Sequence, residues 1–276
     1  MSTLADTVAG WTPATVTSTD VLRRWPVDAF AALLDQPAPT SEHLPPLWHW
    51  LFFLGHPRSD ELGVDGHEAD GHFLPPIPRR RRMFAGGRVE FRAPLPLGAA
   101  VERTGAIAAI TPKSGRSGDM LFVTERREFT VDGTLAVVEE QDIVYRQASG
   151  EATRAPGSPP DPLPLPDDGS VGLVPDPRLL LRFSALTYNA HRIHHDENYA
   201  RDVEGYPGLV VHGPLLALLL LEPARRAGRA ERIAGFDFRL RRPAFAGTPV
   251  VVTDAPELTA GPVGGEPCVT GSITWN

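Results

Sequence analysis

The sequence predicts an α+β fold built twice, each half an antiparallel sheet wrapped around a buried helix. Three observations point to it. Residues 44–55 and 209–221 are apolar on every side and carry a proline near the start of the apolar run; a helix that is apolar all round has to be enclosed. Each is followed by runs rich in β-branched and aromatic residues, separated by Gly, Pro or Asp-Gly, which read as antiparallel strands. Between the repeats, residues 148–177 are dense in Pro, Gly, Ser and Asp, a composition suited to an extended linker. Curling each sheet around its own helix is the economical enclosure. The result is a double hot dog, with residues 1–147 as the first, 148–177 as the linker and 178–276 as the second.

Taken in order, residues 19–35 have helical apolar spacing, with Thr19 or Asp20 available as N-cap and Pro26 placed to break or restart the helix. In residues 44–55, L-P-P-L-W-H-W-L-F-F-L-G, the leading prolines and closing glycine frame a short buried helix, and His49 inside it reads as a hydrogen-bonded core residue. Residues 55–87 hold His56, His67 and His72 and end in the run Arg79, Arg80, Arg81 and Arg82. That is too long for a simple connection, so the segment is expected to be a lid or an excursion over a neighbouring surface. Four strands follow between residues 87 and 146, with Asp132-Gly133 as a hairpin turn. A glycine-rich turn at 111–118 carries Lys113, the only lysine among 27 basic residues. In the second half Gly213 is the expected N-cap of the apolar helix, Pro214 its first residue and Pro223 placed to end or kink it. Strands are expected at 233–240, 248–255 and 267–276.

Composition narrows the function classes. The 276 residues are 42% apolar and 22% charged, which allows a sizeable core and excludes a disordered chain. A net charge of −7 argues against a general nucleic-acid partner, so a small-molecule ligand is expected. One cysteine, Cys268, cannot close an internal disulfide, which fits a reducing cytoplasm. The longest fully apolar run is far shorter than the ~20 residues that span a bilayer, so no membrane partner is expected.

The chemistry is concentrated in T-Y-N-A-H-R-I-H-H-D, residues 187–196, and at His212, directly before the apolar helix. Backbone N–H groups at a helix start lack partners and sit at the positive end of the dipole, so they suit a thioester oxygen that becomes enolate-like. Pro214 has no N–H, leaving Gly213 or Leu215 to donate. Moving water to or from a conjugated thioester also needs a proton carrier, and histidine is the natural one near neutral pH. Asn189 cannot be a base but can orient water. Two other readings stand beside this one. H-R-I-H-H-D could ligate a metal, and His195, Asp196 and His212 could be structural, the histidines bonded to backbone carbonyls and Asp196 capping a helix.

Y-N-A-H-R-I-H-H-D-E-N-Y-A, followed by E-G-Y-P-G-L-V-V-H-G-P-L, resembles the C-terminal hot dog of the hydroxyacyl-thioester dehydratase type 2 group, within the MaoC-like dehydratase superfamily, which includes mesaconyl-CoA and itaconyl-CoA hydratases. L-P-P-L-W-H-W-L-F-F-L, D-G-H-E-A-D-G-H-F-L-P-P, R-R-M-F-A-G-G-R-V-E-F and K-S-G-R-S-G-D-M-L-F-V-T resemble its N-terminal, dehydratase-like half. In the related R-specific enoyl-CoA hydratases the loop reads D-x-N-P-x-H, and its Asp and His handle the water. Aligned on His194, that pattern puts Asn189 where the aspartate would be and His191 where the asparagine would be.

The resemblance implies a hydratase or dehydratase of a short or branched acyl thioester, with no cofactor and no metal. His194 is the expected acid/base, Asn189 the water orienter, His191 a second proton carrier and Gly213 the oxyanion donor. His212, Tyr188, Arg192, Arg116, Lys113, Arg81 and Arg82 are the expected substrate contacts, with Arg192 or Arg116 for the carboxylate of a dicarboxylic acyl-CoA. The chemistry of the arginine run at 79–82 allows either a simply solvated surface or guanidinium forks on the phosphates of a nucleotide-containing ligand. The partner is an acyl-CoA or an acyl carrier protein, and homo-oligomerisation is left open. A carrier-protein dehydratase, a non-catalytic thioester binder and a thioesterase are the rival functions.

Overall fold

Ten antiparallel strands form one sheet in the computed structural model, which describes residues 4–78, 80–115, 118–147, 163–167, 170–254 and 257–276. The first half supplies β1 (Val16–Val21), β2 (Arg80–Phe91), β3 (Ala100–Gly115), β4 (Gly118–Val131) and β5 (Thr134–Gln147). The second supplies β6 (Gly172–Leu173), β7 (Ile233–Leu240), β8 (Val250–Thr253), β9 (Leu258–Pro262) and β10 (Val269–Trp275). Their order across the sheet is β1-β3-β4-β5-β2-β7-β10-β9-β8-β6. The halves meet where β2 pairs with β7, in the register Gly86↔Arg239 to Glu90↔Gly235. The β4–β5 hairpin turns at Asp132 (φ 47) and Gly133 (φ 78), both left-handed, as an Asp-Gly turn favours.

The helices are α1 (Leu4–Val8), α2 (Arg24–Leu33), α3 (Pro177–Leu186), α4 (Gly213–Leu220) and α5 (Glu222–Arg226). In α4 every residue from Leu215 to Leu220 is buried, so it is the enclosed helix that its all-round apolar character requires. Leu221 breaks the ladder and Pro223 stands in the first turn of α5, so the helical path is interrupted just before this proline, as expected. α2 packs against α3, with Phe30 6.0 Å from Phe183, and one apolar cluster runs through both halves. No helix among the described residues is long and apolar enough to cross a membrane.

Several expectations are corrected. Residues 19–35 are not one helix: Val16–Val21 pairs with the edge of β3, and α2 begins only at Arg24, with Arg23 as its N-cap. Val16, Thr17 and Thr19 favour that extended edge, while Asp20 accepts hydrogen bonds from the N–H of Val21 and of Phe53.

The enclosed helix expected at residues 44–55 reduces to a 3-10 turn, Trp48–Leu51, framed by Leu47 (φ 67) and Phe53 (φ 56) in left-handed conformation. Pro46 pushes Pro45 out of the helical region. A buried carboxylate then fixes the turn: Glu139 accepts from Trp50 Nε1 at 2.6 Å, Gln141 Nε2 at 2.6 Å and His49 Nε2 at 3.2 Å. His49 is therefore the hydrogen-bonded core residue expected. Burial raises the Glu139 carboxyl, but the His49 bond and charge, with Arg127, bring it down to about 2.

In the second half, β9 had no separate sequence signal, and the N-cap of α4 is His212 rather than Gly213. Of the expected linker, residues 148–162 and 168–169 lie outside the described residues; Gly172–Leu173 pairs with β8, and Pro177 opens α3 under an Asp176 cap.

Candidate active site

The loop after α3 is built to aim its side chains. α3 ends at Thr187, whose hydroxyl donates to Phe183 O, and Tyr188 then turns left-handed (φ 50). The Asn189 N–H bonds Ser184 O, and Asn189 Oδ1 accepts from the His191 N–H at 2.9 Å, an Asx turn that fixes the entry to His191. A 3-10 turn, Arg192–His194, follows. The Val210 N–H bonds Ile193 O, and His194 Nδ1 bonds Val210 O at 2.7 Å, locking the loop to the chain entering α4. Asp196 caps the next turn by accepting from the Tyr199 N–H, which is the structural role expected of it.

Four imidazoles form a chain. His67 lies 3.9 Å from His191 between ring centroids, His191 5.3 Å from His194, and His194 is stacked on His212 at 3.7 Å. A carbonyl only accepts, so His194 carries its proton on Nδ1 and a lone pair on Nε2. Burial pushes the His194 imidazole down to about 4; the Val210 bond opposes this, and the neighbouring His67 and His195 add to it. His191 is held neutral by burial and by His67 and His194. His212, 0% exposed, is lowered by burial; its Nε2 is hydrogen-bonded to Ser184 Oγ at 2.8 Å and its buried Nδ1 has no partner among the described residues.

A second loop meets these histidines from the first half. His67 Nδ1 bonds Asp65 Oδ2 at 3.1 Å, and the His67 N–H bonds Asp65 Oδ1 at 3.1 Å. Burial raises the Asp65 carboxyl, but the bond to His67 and its charge bring it down to about 2. Ligating atoms of Asp65, His67 and His191 lie within 4.8 Å of one another, a cluster that takes only His191 from the 191–196 run expected to ligate a metal. Neither Asp65 nor His67 stands out as a site residue in the sequence. The available signals were D-G-H within the family-like stretch and the length of the 55–87 excursion.

Asp65, His67, Tyr188, Asn189, His191, His194 and Gly213 all face a cavity of about 1250 Å³ formed by both halves. Its wall continues through Trp50, Phe53, Arg103, Arg127 and Gln141, along the short turn that stands where a first central helix was expected. Arg81 and Arg82 also line it, Arg81 within 3.4 Å of Glu204.

Other expected contacts sit elsewhere. Arg192 is bound to Asp196 and Val64 O and lies over Tyr199 at 4.1 Å, outside the cavity wall. His212 lies behind His194, and Lys113 lies 4.4 Å from the Phe122 ring on an exposed stretch of β3. Arg79 and Arg116 fall outside the described residues.

A family model described as hydroxyacyl-thioester dehydratase type 2 matches residues 47–246. A mesaconyl-C(4)-CoA hydratase of Chloroflexus aurantiacus is 52% identical over 223 residues, 79% of this chain and 78% of that one. A mitochondrial hydroxyacyl-thioester dehydratase type 2 of Schizosaccharomyces pombe is 29% identical over 276 residues, 86% of this chain and 89% of that one. Among solved structures, HtdX of Mycobacterium tuberculosis aligns with TM-score 0.66 at 16% identity, over 95% of this chain and 100% of that one. A MaoC-like dehydratase of Phytophthora capsici aligns with TM-score 0.65 at 17% identity, over 99% and 98%. At these identities the two structures bear on the fold, and the fold is the expected α+β hot-dog architecture, with a 3-10 turn where the first half's central helix was expected.

Proposed function

The chain belongs to the hydroxyacyl-thioester dehydratase type 2 family, and from that premise we propose that it is a hydro-lyase that reversibly adds water across the double bond of an enoyl-CoA. The observation that carries the residue-level reading is the His194 imidazole. Its Nδ1 is tied to Val210 O, which leaves the Nε2 lone pair for chemistry on a wall that also holds the first residue of α4. Water gives a proton to His194 Nε2 while its oxygen bonds to the β-carbon. The π pair moves toward the thioester oxygen, which the backbone N–H of Gly213 or Leu215 stabilises at the positive end of α4. The enolate then collapses and takes a proton at the α-carbon. Asn189 orients the water, its Oδ1 already fixed by the His191 N–H.

Similarity to a mesaconyl-C(4)-CoA hydratase supports a short dicarboxylic acyl group. Its free carboxylate needs a guanidinium, and with Arg192 committed to Asp196 we assign that role to Arg103. Arg103 is half-buried on the cavity wall, donates to Phe53 O, and has no carboxylate within ion-pair distance among the described residues. Arg82 lines the same cavity beside Arg81, which pairs with Glu204, and we assign Arg82 to the CoA phosphates.

The test is incubation with crotonyl-, mesaconyl- and itaconyl-CoA, following enoyl absorbance and free thiol. Absorbance should fall reversibly with no thiol release, and His194→Ala should lower kcat by about 10²- to 10⁴-fold. Thiol release without hydration would indicate a thioesterase, binding without turnover a non-catalytic binder, and full activity in His194→Ala would remove that residue from the mechanism.

A further inference from the structure

The loop of the second half has asparagine, not aspartate, at position 189, yet a carboxylate reaches the histidines from the first half. Asp65 accepts from His67 Nδ1, so His67 in its neutral form presents its lone pair on Nε2, the same tautomer as His194. Three features hold the two loops in register. The Arg192 N–H bonds Asp65 O at 2.8 Å, and Arg192 Nη1 bonds Val64 O at 3.0 Å. Between them Gly66, at φ +87, passes so close that a Cβ would lie 1.9 Å from Ala190 O. The His67 ring is thus seated 3.9 Å from His191 on the cavity wall.

Hydration must hold a proton between its removal from water and its delivery to the α-carbon. His194 is a poor place to hold it, being buried, flanked by other imidazoles and, among the described residues, without a carboxylate at ion-pair distance; His191 is half-buried and lies near Asp65 but makes no hydrogen bond to it among the described residues. An imidazolium at His67 is paired at once with Asp65. We propose that the Asp65–His67 pair is the proton store of the reaction, His67 as a catalytic residue contributed by the first half and Asp65 as the positioning residue that acts through it.

This proposal rests on the hydratase reading. The O–H bond of water breaks as His194 Nε2 takes the proton, which then reaches His67 Nε2 through solvent in the cavity that both rings face. The oxygen bonds to the β-carbon, and the π pair moves onto the thioester oxygen. When that pair returns, the stored proton forms the new bond to the α-carbon and His67 is neutral again.

The experiment compares the full chain with Asp65→Asn, Asp65→Glu and His67→Gln, using mesaconyl-CoA, crotonyl-CoA and itaconyl-CoA. Asp65→Asn and His67→Gln are expected to lose about 10²- to 10⁴-fold in kcat, with KM moving by no more than about threefold and cooperative thermal unfolding retained, its midpoint lowered by the lost Asp65–His67 pair. Asp65→Glu, which restores a carboxylate, is expected to recover at least about tenfold over Asp65→Asn, and that ratio decides the matter if His67→Gln does not fold. Wild-type kcat in both Asp65→Asn and His67→Gln overturns the proton store and leaves the hydratase reading standing, whereas an inert wild type overturns both. Activity lost on dialysis against EDTA and regained with zinc would make Asp65, His67 and His191 a metal centre and overturn the store.

Discussion

His194 is uncharged at neutral pH because its ring is buried among other imidazoles while its one polar tie, to Val210 O, is to a neutral acceptor. The cost of that arrangement appears on acidification. A histidine held at about 4 against an ordinary 6.5 binds fewer protons folded than unfolded in that interval, so stability rises with pH there. The contribution is fully present above 6.5 and is lost as pH falls toward 4. The lowered His191 and His212 act in the same direction. Asp65 and Glu139, both held at about 2, withdraw their own contribution at still lower pH, below the ordinary carboxylate range. Thermal unfolding followed across this range should show the midpoint dropping as pH falls from 6.5 to 4; a flat profile would contradict the buried neutral histidines. Glu139 is a second residue-level case. Glu139→Leu strands His49, Trp50 and Gln141 donors and should cost roughly 3 kcal/mol, read as a lowered unfolding midpoint.

At the scale of elements, α4 and the short turn at Trp48–Leu51 mark what the sequence could and could not disclose. Six consecutive buried residues in α4 leave no polar face, so its enclosure was legible from composition alone. Residues 44–55 carry a similar composition, but periodicity does not distinguish a helix from a compact turn, and the deciding partner, Glu139, lies 90 residues away. The Asp65–His67 loop was hidden for the same reason: its meaning comes from a contact with residues 190–192 across more than 120 positions of sequence. By contrast the His194 loop was readable, because its motif and the helix start it faces are neighbours in the chain.

Two substitutions test these elements. Gly66→Ala places a methyl against Ala190 O at a left-handed φ, so the 63–68 loop should lift from the histidines and kcat should fall, with protease nicking confined to that loop. At the start of α4, a Cβ on Gly213 meets Leu240 Cδ1 at 2.5 Å, the end of a flexible side chain. Gly213→Ala should therefore fold, with an unfolding midpoint close to wild type, and lose turnover because the oxyanion position is crowded; unchanged kcat would remove Gly213 from the site.

For the whole molecule, the two halves are unequal. The second keeps its central helix and supplies the helix start, Asn189, His191 and His194. The first has replaced that helix by a turn, and its strands β3, β4 and β5 line the cavity along it with Arg103, Arg127 and Gln141. The β2–β7 pairing joins the two into one sheet and sets the Asp65 loop over the histidines. An enoyl-CoA seated in this cavity would touch both halves at once, its thioester at α4 and its acyl end toward Arg103. Arg103→Ala should accordingly raise KM for mesaconyl-CoA far more than for crotonyl-CoA, which has no free carboxylate; an equal change for both would remove Arg103 as the carboxylate contact.

The most direct measurement is of the mesaconyl-CoA reaction approached from both sides, starting once from the enoyl thioester and once from its hydrated product, with free thiol quantified throughout. A reversible hydro-lyase reaches the same ratio of the two thioesters from either direction without releasing CoA. Failure of the two mixtures to converge, or thiol appearing as the absorbance falls, would contradict the account.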